Sequence, residues 1–313
     1  MKTMTMLIIL LVGHSAHSNP FPKAIFGPDN RRDIYQSSSR IKKYSTALAT
    51  WVSPYFIQEE GPLFDLDFPS LEEHYQMCSG EKFISQPTTM ISCTAFLVAD
   101  DLMVTAGHCM VNRGEVTNTK TPMCTDFNWV FDYQINKKGD ELLKNRPIRS
   151  KIKCLKVIKA VHIDTDDKRL DFALFRINKK MPKRFQFRPA SREIRRGTPV
   201  DILGYPSGLP LKYSSSAFVL KDHPNDNFFE ANIDSVGGNS GSPVFGKRGG
   251  LYGILVRGND DFITDPKLDC DRWNKCSNNG KQCDDGPQDV DYDSGMHVQK
   301  ITPELARLIK ENQ

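Results

Sequence analysis

A chain of 313 residues with 39% hydrophobic and 26% charged side chains has the composition of an ordinary globular protein. Its length suits one large domain or two modest ones around a sizeable apolar core. The 42 basic and 38 acidic side chains leave a net charge of only +4, and with no long Lys/Arg run the chain lacks the electrostatic footprint of a nucleic-acid binder.

The amino terminus reads as an address. Lys2 precedes an apolar run at residues 6–12. Ala16 and Ser18 then make a small-x-small pattern, which places a signal peptide at 1–18 with the cut after Ser18. The apolar run is far shorter than the ~20 residues that span a bilayer, and no later segment is long and apolar enough to do so. The mature protein is therefore expected to be secreted, extracellular or periplasmic, with no membrane contact after signal removal. Residues 19–45 are polar and basic, with Arg31-Arg32 and Ser37-Ser38-Ser39. They read as a processed or loosely packed segment ahead of a domain at 46–313.

From about residue 90 onward, short apolar runs alternate with turn residues. They fall at 95–98, 102–104, 172–175, 200–203, 242–245 and 251–256. Each is strand-length and rich in β-branched or aromatic residues, with Gly, Pro, Asn or Asp between many of them. No long amphipathic helical pattern interrupts them, so the chain reads as all-β, a barrel or a sandwich. The polar stretch 112–150 is expected to form surface loops around one strand at Trp129-Val130-Phe131. A single short helix is expected at about 302–311. Thr302 is its N-cap, Pro303 its first residue, and Leu305, Leu308 and Ile309 share one face.

Eight cysteines in an exported chain imply disulfides. There is no CxxC pair, and Cys270, Cys276 and Cys283 are spaced poorly for a zinc ribbon. The acids Asp284, Asp285, Asp289, Asp291 and Asp293 offer hard oxygen ligands of the kind calcium takes, but their spacing is not that of an EF-hand. That stretch reads as a disulfide-tied surface loop, and no metal or cofactor is expected.

Three runs carry the chemistry: Thr105-Ala106-Gly107-His108-Cys109, Asp171-Phe172-Ala173-Leu174 and Gly237-Gly238-Asn239-Ser240-Gly241-Ser242-Pro243. A serine hydroxyl becomes a useful nucleophile when a neutral imidazole takes its proton and a carboxylate holds that imidazole in the right tautomer. The oxyanion of the tetrahedral intermediate needs two backbone N–H donors, and a serine among glycines sits on a turn tight enough to supply them. His108, Asp171 and Ser240 are the candidate triad, and Gly238 N–H and Ser240 N–H the candidate donors. Asp164, Asp166 and Asp167 compete for the acid role. Asp171 is preferred because it directly precedes Phe-Ala-Leu, at the edge of a buried strand. The order His, Asp, Ser and the residue Ser242, where G-x-S-x-G has glycine, argue against an α/β-hydrolase.

These motifs resemble the trypsin/chymotrypsin clan of serine proteases. Gly-Asn-Ser-Gly-Ser-Pro with Gly204-Tyr205-Pro206, and the early stretch Ile25-Phe26-Gly27-Pro28-Asp29-Asn30-Arg31, look most like its bacterial glutamyl-endopeptidase branch. The resemblance covers roughly residues 24–34 and 90–310. It implies two antiparallel six-stranded Greek-key β-barrels, here about 46–180 and 181–300, with the site in the cleft between them. It also implies a disulfide: the 16-position spacing of Cys93 and Cys109 matches the bridge that fastens the histidine loop in animal members. Pairing of Cys78, Cys124, Cys154, Cys270, Cys276 and Cys283 stays open.

By the same resemblance, Gly258 and the segment before Ser240 wall the specificity pocket. An acid six residues before the nucleophile, here Asp234, would lie at the pocket base and select Lys or Arg. Against glutamate specificity, the branch's histidine after Gly-Ile is Leu255 here. Arg257 could instead reach a substrate acid, giving cleavage after acidic residues. Asn239 departs from animal trypsins, which carry an acid there that pairs with the new amino terminus on activation. The function expected is a secreted endopeptidase, acting as a monomer on polypeptides. The rival from another class is an inactive protease-like binding protein.

Overall fold

Alternating apolar runs close into sheets because each strand offers one face to a core. The computed structural model describes residues 24–90, 92–165, 168–258, 260–276 and 295–313. The signal peptide, its cut after Ser18, Cys283, the candidate acids Asp166 and Asp167, and the acids between Asp284 and Asp293 lie outside the described residues, as does the side chain of Cys276.

The first sheet has eight strands, in the order Lys151–Ile152, Asn128–Phe131, Leu48–Val52, Thr94–Ala99, Leu102–Thr105, Arg169–Ile177, Cys154–Asp164 and Val116–Thr117. All its pairings are antiparallel. It curls as a half-barrel around Phe96, Val104, Trp129, Phe131, Phe172 and Phe175. The second sheet closes on itself. Pro199–Gly204, Lys212–Lys221, Phe228–Ala231, Met296–Lys300, Gly250–Arg257 and Pro243–Phe245 each pair with the next, and the last returns to the first. This six-stranded barrel packs around Val219, Phe229, Val244, Leu255 and Val298. The fold is mostly β, with one six-stranded barrel closed and the other sheet a longer half-barrel.

The carboxyl-terminal helix is Pro303–Asn312. The Thr302 hydroxyl accepts from Leu305 N, and Leu305 and Ile309 are buried. Lys159 pairs with Glu304 at 2.5 Å and Arg176 donates to Asn312 O at 2.9 Å, so the helix lies against the first sheet.

Residues 24–45 are not loosely packed, which corrects the expectation for that segment. Ala24 and Ile25 have no exposed surface, and Ile34, Ile41 and Tyr44 are buried. The charges that suggested a solvated stretch are paired internally. Arg31 stacks 4.0 Å from the Trp273 ring and holds Asp29 with two hydrogen bonds, and Asp33 meets the buried Lys212 at 2.7 Å. Three disulfides join Cys78 to Cys270, Cys93 to Cys109 and Cys124 to Cys154. Among the described residues no helix is long and apolar enough to cross a membrane.

Candidate active site

His108 sits in a single helical turn, Gly107–Cys109, directly after the strand Leu102–Thr105. Gly107 is required there. A Cβ at that position would lie 1.8 Å from Val161 O, so only glycine lets the turn press against the neighbouring strand. Cys109 follows, and its bridge to Cys93 ties the turn to the start of the strand Thr94–Ala99.

Asp171 lies on Arg169–Ile177, in register with His162 of the adjacent strand. Its Oδ1 accepts the His108 backbone N–H at 2.9 Å, and its Oδ2 meets His108 Nδ1 at 2.7 Å. A carboxylate can only accept, so Nδ1 carries the proton and Nε2 is left as the basic nitrogen. The Asp171 backbone N–H in turn donates to Gln299 Oε1 at 2.9 Å. Gln299 is buried in the second barrel, and its Nε2 donates to Asn227 O and Lys300 O. One glutamine thus carries the acid's position across the inter-barrel seam. Nothing in the run Met296–Lys300 marks it for that task.

The competing acid Asp164 is committed elsewhere. Arg257 meets it at 2.6 Å, Arg113 at 3.0 Å and Arg169 at 3.7 Å. Burial pushes its pKa up, but the hydrogen bond and charge of Arg257, with Arg113 and Arg169, outweigh that and hold the carboxyl below its usual range.

Ser240 follows Gly237, Gly238 and the buried Asn239. Its carbonyl accepts Thr94 N at 2.8 Å and lies 3.9 Å from Cys109 Sγ, so the serine is seated against the disulfide next to His108. Two left-handed glycines shape the turn. Gly238 has φ +85 and Gly241 φ +89, and a Cβ on either would strike backbone, Tyr205 O at 2.4 Å or Thr94 O at 2.0 Å. Among the described residues neither Gly238 N nor Ser240 N donates to a protein acceptor. Asn239 Nδ2 donates to Ser235 Oγ at 2.9 Å, so no charged group is held at that position.

The expected selectivity residues do not converge. Asp234 accepts Phe26 N at 2.8 Å on Oδ1 and Asn30 N at 2.7 Å on Oδ2, and it is 3% exposed. Both oxygens therefore serve the amino-terminal segment rather than a pocket base. Burial pushes this carboxyl up to about 6, against the hydrogen bonds from Asn30 and Phe26. Arg257 is bound to Asp164 as described. Gly258 is exposed, and a Cβ there would meet Met296 Sδ at 3.1 Å.

A carboxylate that the sequence did not single out touches the glycine turn before Ser240. Asp261 accepts Gly237 N on both oxygens, at 2.8 and 2.9 Å. Among the described residues, one His/Cys/Asp/Glu group is close enough to hold a metal ion: Cys93, His108 and Cys109. Both sulfurs are tied in the disulfide, which leaves His108 alone as a ligand.

Residues 93–254 match the family described as the trypsin-like peptidase domain. Among solved structures, the chain is similar to a Glu endopeptidase in complex with MPD, at 15% identity and a TM-score of 0.48 over 92% of this chain and 98% of that one. It is similar also to the active form of the Rv3671c protease from M. tuberculosis, at 13% identity and a TM-score of 0.39 over 87% of this chain and 86% of the other. No curated protein matches the chain. The matched domain spans more than half of the sequence and includes the histidine and serine motifs, and the chain belongs to the trypsin-like peptidase family, as a serine endopeptidase.

Proposed function

We propose that the chain is a secreted endopeptidase that cleaves polypeptides through an acyl-enzyme on Ser240. His108 Nε2 takes the serine proton as Oγ attacks the scissile carbonyl, then returns it to the leaving amine. Asp171 fixes the tautomer and stabilises the imidazolium that forms. Gly238 N–H and Ser240 N–H receive the oxyanion, and water completes the cycle by attacking the ester. The observation that carries this reading is the two-point hold of Asp171 on His108, at 2.9 and 2.7 Å. An inactive binding module has no use for an imidazole locked in the tautomer that leaves Nε2 basic. Three disulfides support export into an oxidising compartment.

The geometry gives no support to Lys/Arg selection by Asp234, since both its oxygens accept from the amino-terminal backbone. Acid selection by Arg257 meets the same difficulty, because its guanidinium is bound to Asp164.

The test is a fluorophosphonate probe on the purified chain, with a peptide-library digest alongside. Wild-type protein should be labelled on Ser240, and Ser240→Ala should lose labelling and about 10⁶ in kcat. Peptide cleavage at the wild-type rate by Ser240→Ala would sink the assignment.

A further inference from the structure

The glycine pair ahead of the nucleophile is held from both sides. Gly237 O accepts Ser207 N at 2.5 Å, and Gly237 N donates to Asp261 Oδ1 and Oδ2 at 2.8 and 2.9 Å. These bonds fix the peptide planes before and after Gly237. In a trans peptide the C=O and the following N–H point in opposite directions. Pinning Gly237 C=O to Ser207 therefore aims Gly238 N–H the other way. Glycine loses more conformational freedom on ordering than any other residue, so two in succession present a fixed donor only when something outside them holds them. The space for this hold exists because residue 237 is glycine: a Cβ there would lie 2.8 Å from Asp261 Oδ2.

We propose that Asp261 is the positioning residue of the oxyanion hole, its carboxylate fixing Gly237 so that Gly238 N–H is already aimed when the tetrahedral intermediate forms. This rests on the reading of Ser240 as nucleophile given above. The arm that carries the carboxylate is anchored. Asn274 N donates to Asp261 O at 2.9 Å, and Asn274 Nδ2 to Asp260 O at 2.8 Å. The Asn274 carbonyl in turn accepts Ala24 N and Ile25 N, both at 3.1 Å. The buried amino-terminal strand thus braces the segment from which Asp261 projects.

The carboxylate is kept at a cost to the fold. Burial pushes Asp261 up to about 6, with the hydrogen bond from Gly237 and the charge of Arg31 opposing and Asp260 reinforcing. Tyr75 also faces it, and its hydroxyl is pushed up to about 12 by burial and by Asp261. A carboxyl whose folded-state value exceeds its free value stabilises the fold more when protonated, so its ionised form at neutral pH is not there for stability. Ionised, it is also the stronger acceptor for Gly237 N–H.

The experiment measures kcat, KM and the pH profile on a peptide substrate for wild type, Asp261→Ala and Asp261→Asn. Affinity for a peptide aldehyde, which forms a tetrahedral adduct, is measured beside them. Asp261→Ala should lower kcat by about 10- to 100-fold, somewhat less than loss of a whole oxyanion donor. KM should stay within about twofold, and aldehyde affinity should fall in parallel with kcat. Asp261→Asn keeps one acceptor for Gly237 N–H and should fall between. Its acid limb should be shallower than that of the wild type, which loses activity also through protonation of Asp261. A merely structural role would lower the amount of folded enzyme without changing the shape of that limb. Wild-type kcat and an unchanged acid limb in Asp261→Ala would overturn the proposal while loss of activity in Ser240→Ala left the triad standing. Should Asp261→Ala not fold, the limb of Asp261→Asn decides on the same terms. Activity surviving in Ser240→Ala would overturn both readings.

Discussion

Asp171 holds His108 at two atoms, the backbone N–H at 2.9 Å and the ring Nδ1 at 2.7 Å. The first bond fixes where the turn sits, and the second fixes how the ring is protonated. Asn at position 171 can accept only one of the two. If its oxygen keeps the backbone bond, its NH₂ faces Nδ1 and drives the proton to Nε2, where it blocks the serine. Asp171→Asn should therefore cost about 10⁴ in kcat with KM little changed. Steady-state kinetics on a peptide substrate check this, and turnover within tenfold of wild type would remove Asp171 from the mechanism.

Gln299 reaches across from the second barrel to the Asp171 backbone, and its removal should act on catalysis through position. Gln299→Ala leaves the part-buried Asp171 N–H without its acceptor, a loss of about 1 kcal/mol. The acid then drifts on its strand and His108 with it. We expect a lower unfolding midpoint in urea and a fall in kcat of about tenfold or more, with substrate affinity preserved. Equal destabilisation with unchanged kcat would make Gln299 a packing residue alone.

Asp234 offers a prediction about stability rather than selectivity. Its folded value of about 6 stands above the ordinary 3.8. Between those values the folded chain binds a proton that the unfolded chain has released, so this group's contribution to stability falls as pH rises from about 4 to 6. At neutral pH the deficit is about 3 kcal/mol for a group this buried. Asp234→Asn removes the titration and one acceptor. It should be less stable than wild type at pH 4, and the gap should shrink or reverse by pH 7. Urea unfolding at the two pH values decides this, and a gap that does not move would show that the buried carboxyl does not titrate as described. The ratio of basic to neutral cleavage sites should be the same in both proteins.

What the sequence made legible follows the reach of its chemistry. His108, Asp171 and Ser240 stand in short runs whose neighbours are themselves constrained, such as Gly107 against Val161 O and Gly241 against Thr94 O. A local pattern is therefore enough to propose them, and the structure shows His108 and Asp171 in contact. The all-β class and the helix at Pro303–Asn312 were readable from apolar runs and a capping threonine, whereas the closed second barrel was implied only by the resemblance. Gln299 and Asp261 were not readable, because their partners are distant in the chain: Asp171 lies 128 positions from Gln299 and Gly237 24 positions from Asp261. The offset rule for Asp234 is local for the same reason. It takes no account of Phe26, which lies 208 positions away and occupies one of the carboxylate oxygens. The segment 24–45 looked solvated because Arg31 and Arg32 are charged, and charge alone does not reveal that Arg31 stacks on Trp273 and holds Asp29, or that Arg32 donates to Ser215.

The disulfide Cys93–Cys109 should matter to activity in a way that Cys124–Cys154 does not. By the chain-entropy argument, loops of 16 and 30 residues contribute about 3 and about 3.5 kcal/mol. Removing either bridge by paired Cys→Ala substitution should therefore cost similar stability. Their positions differ. Cys109 is the residue after His108, and its sulfur lies 3.9 Å from the Ser240 carbonyl. Cys93 precedes Thr94, whose N–H holds that same carbonyl at 2.8 Å. Cys154 stands at the far end of its strand, opposite Ile177, while His162 at the other end faces Asp171. Loss of Cys93–Cys109 should then lower kcat by about tenfold or more, since small displacements of reacting groups are costly. Loss of Cys124–Cys154 should leave kcat within about twofold, measured well below the unfolding temperature of both variants. Parallel thermal melts and initial rates on one substrate make the comparison. Equal losses of kcat in the two variants would mean that the bridge beside His108 serves stability alone.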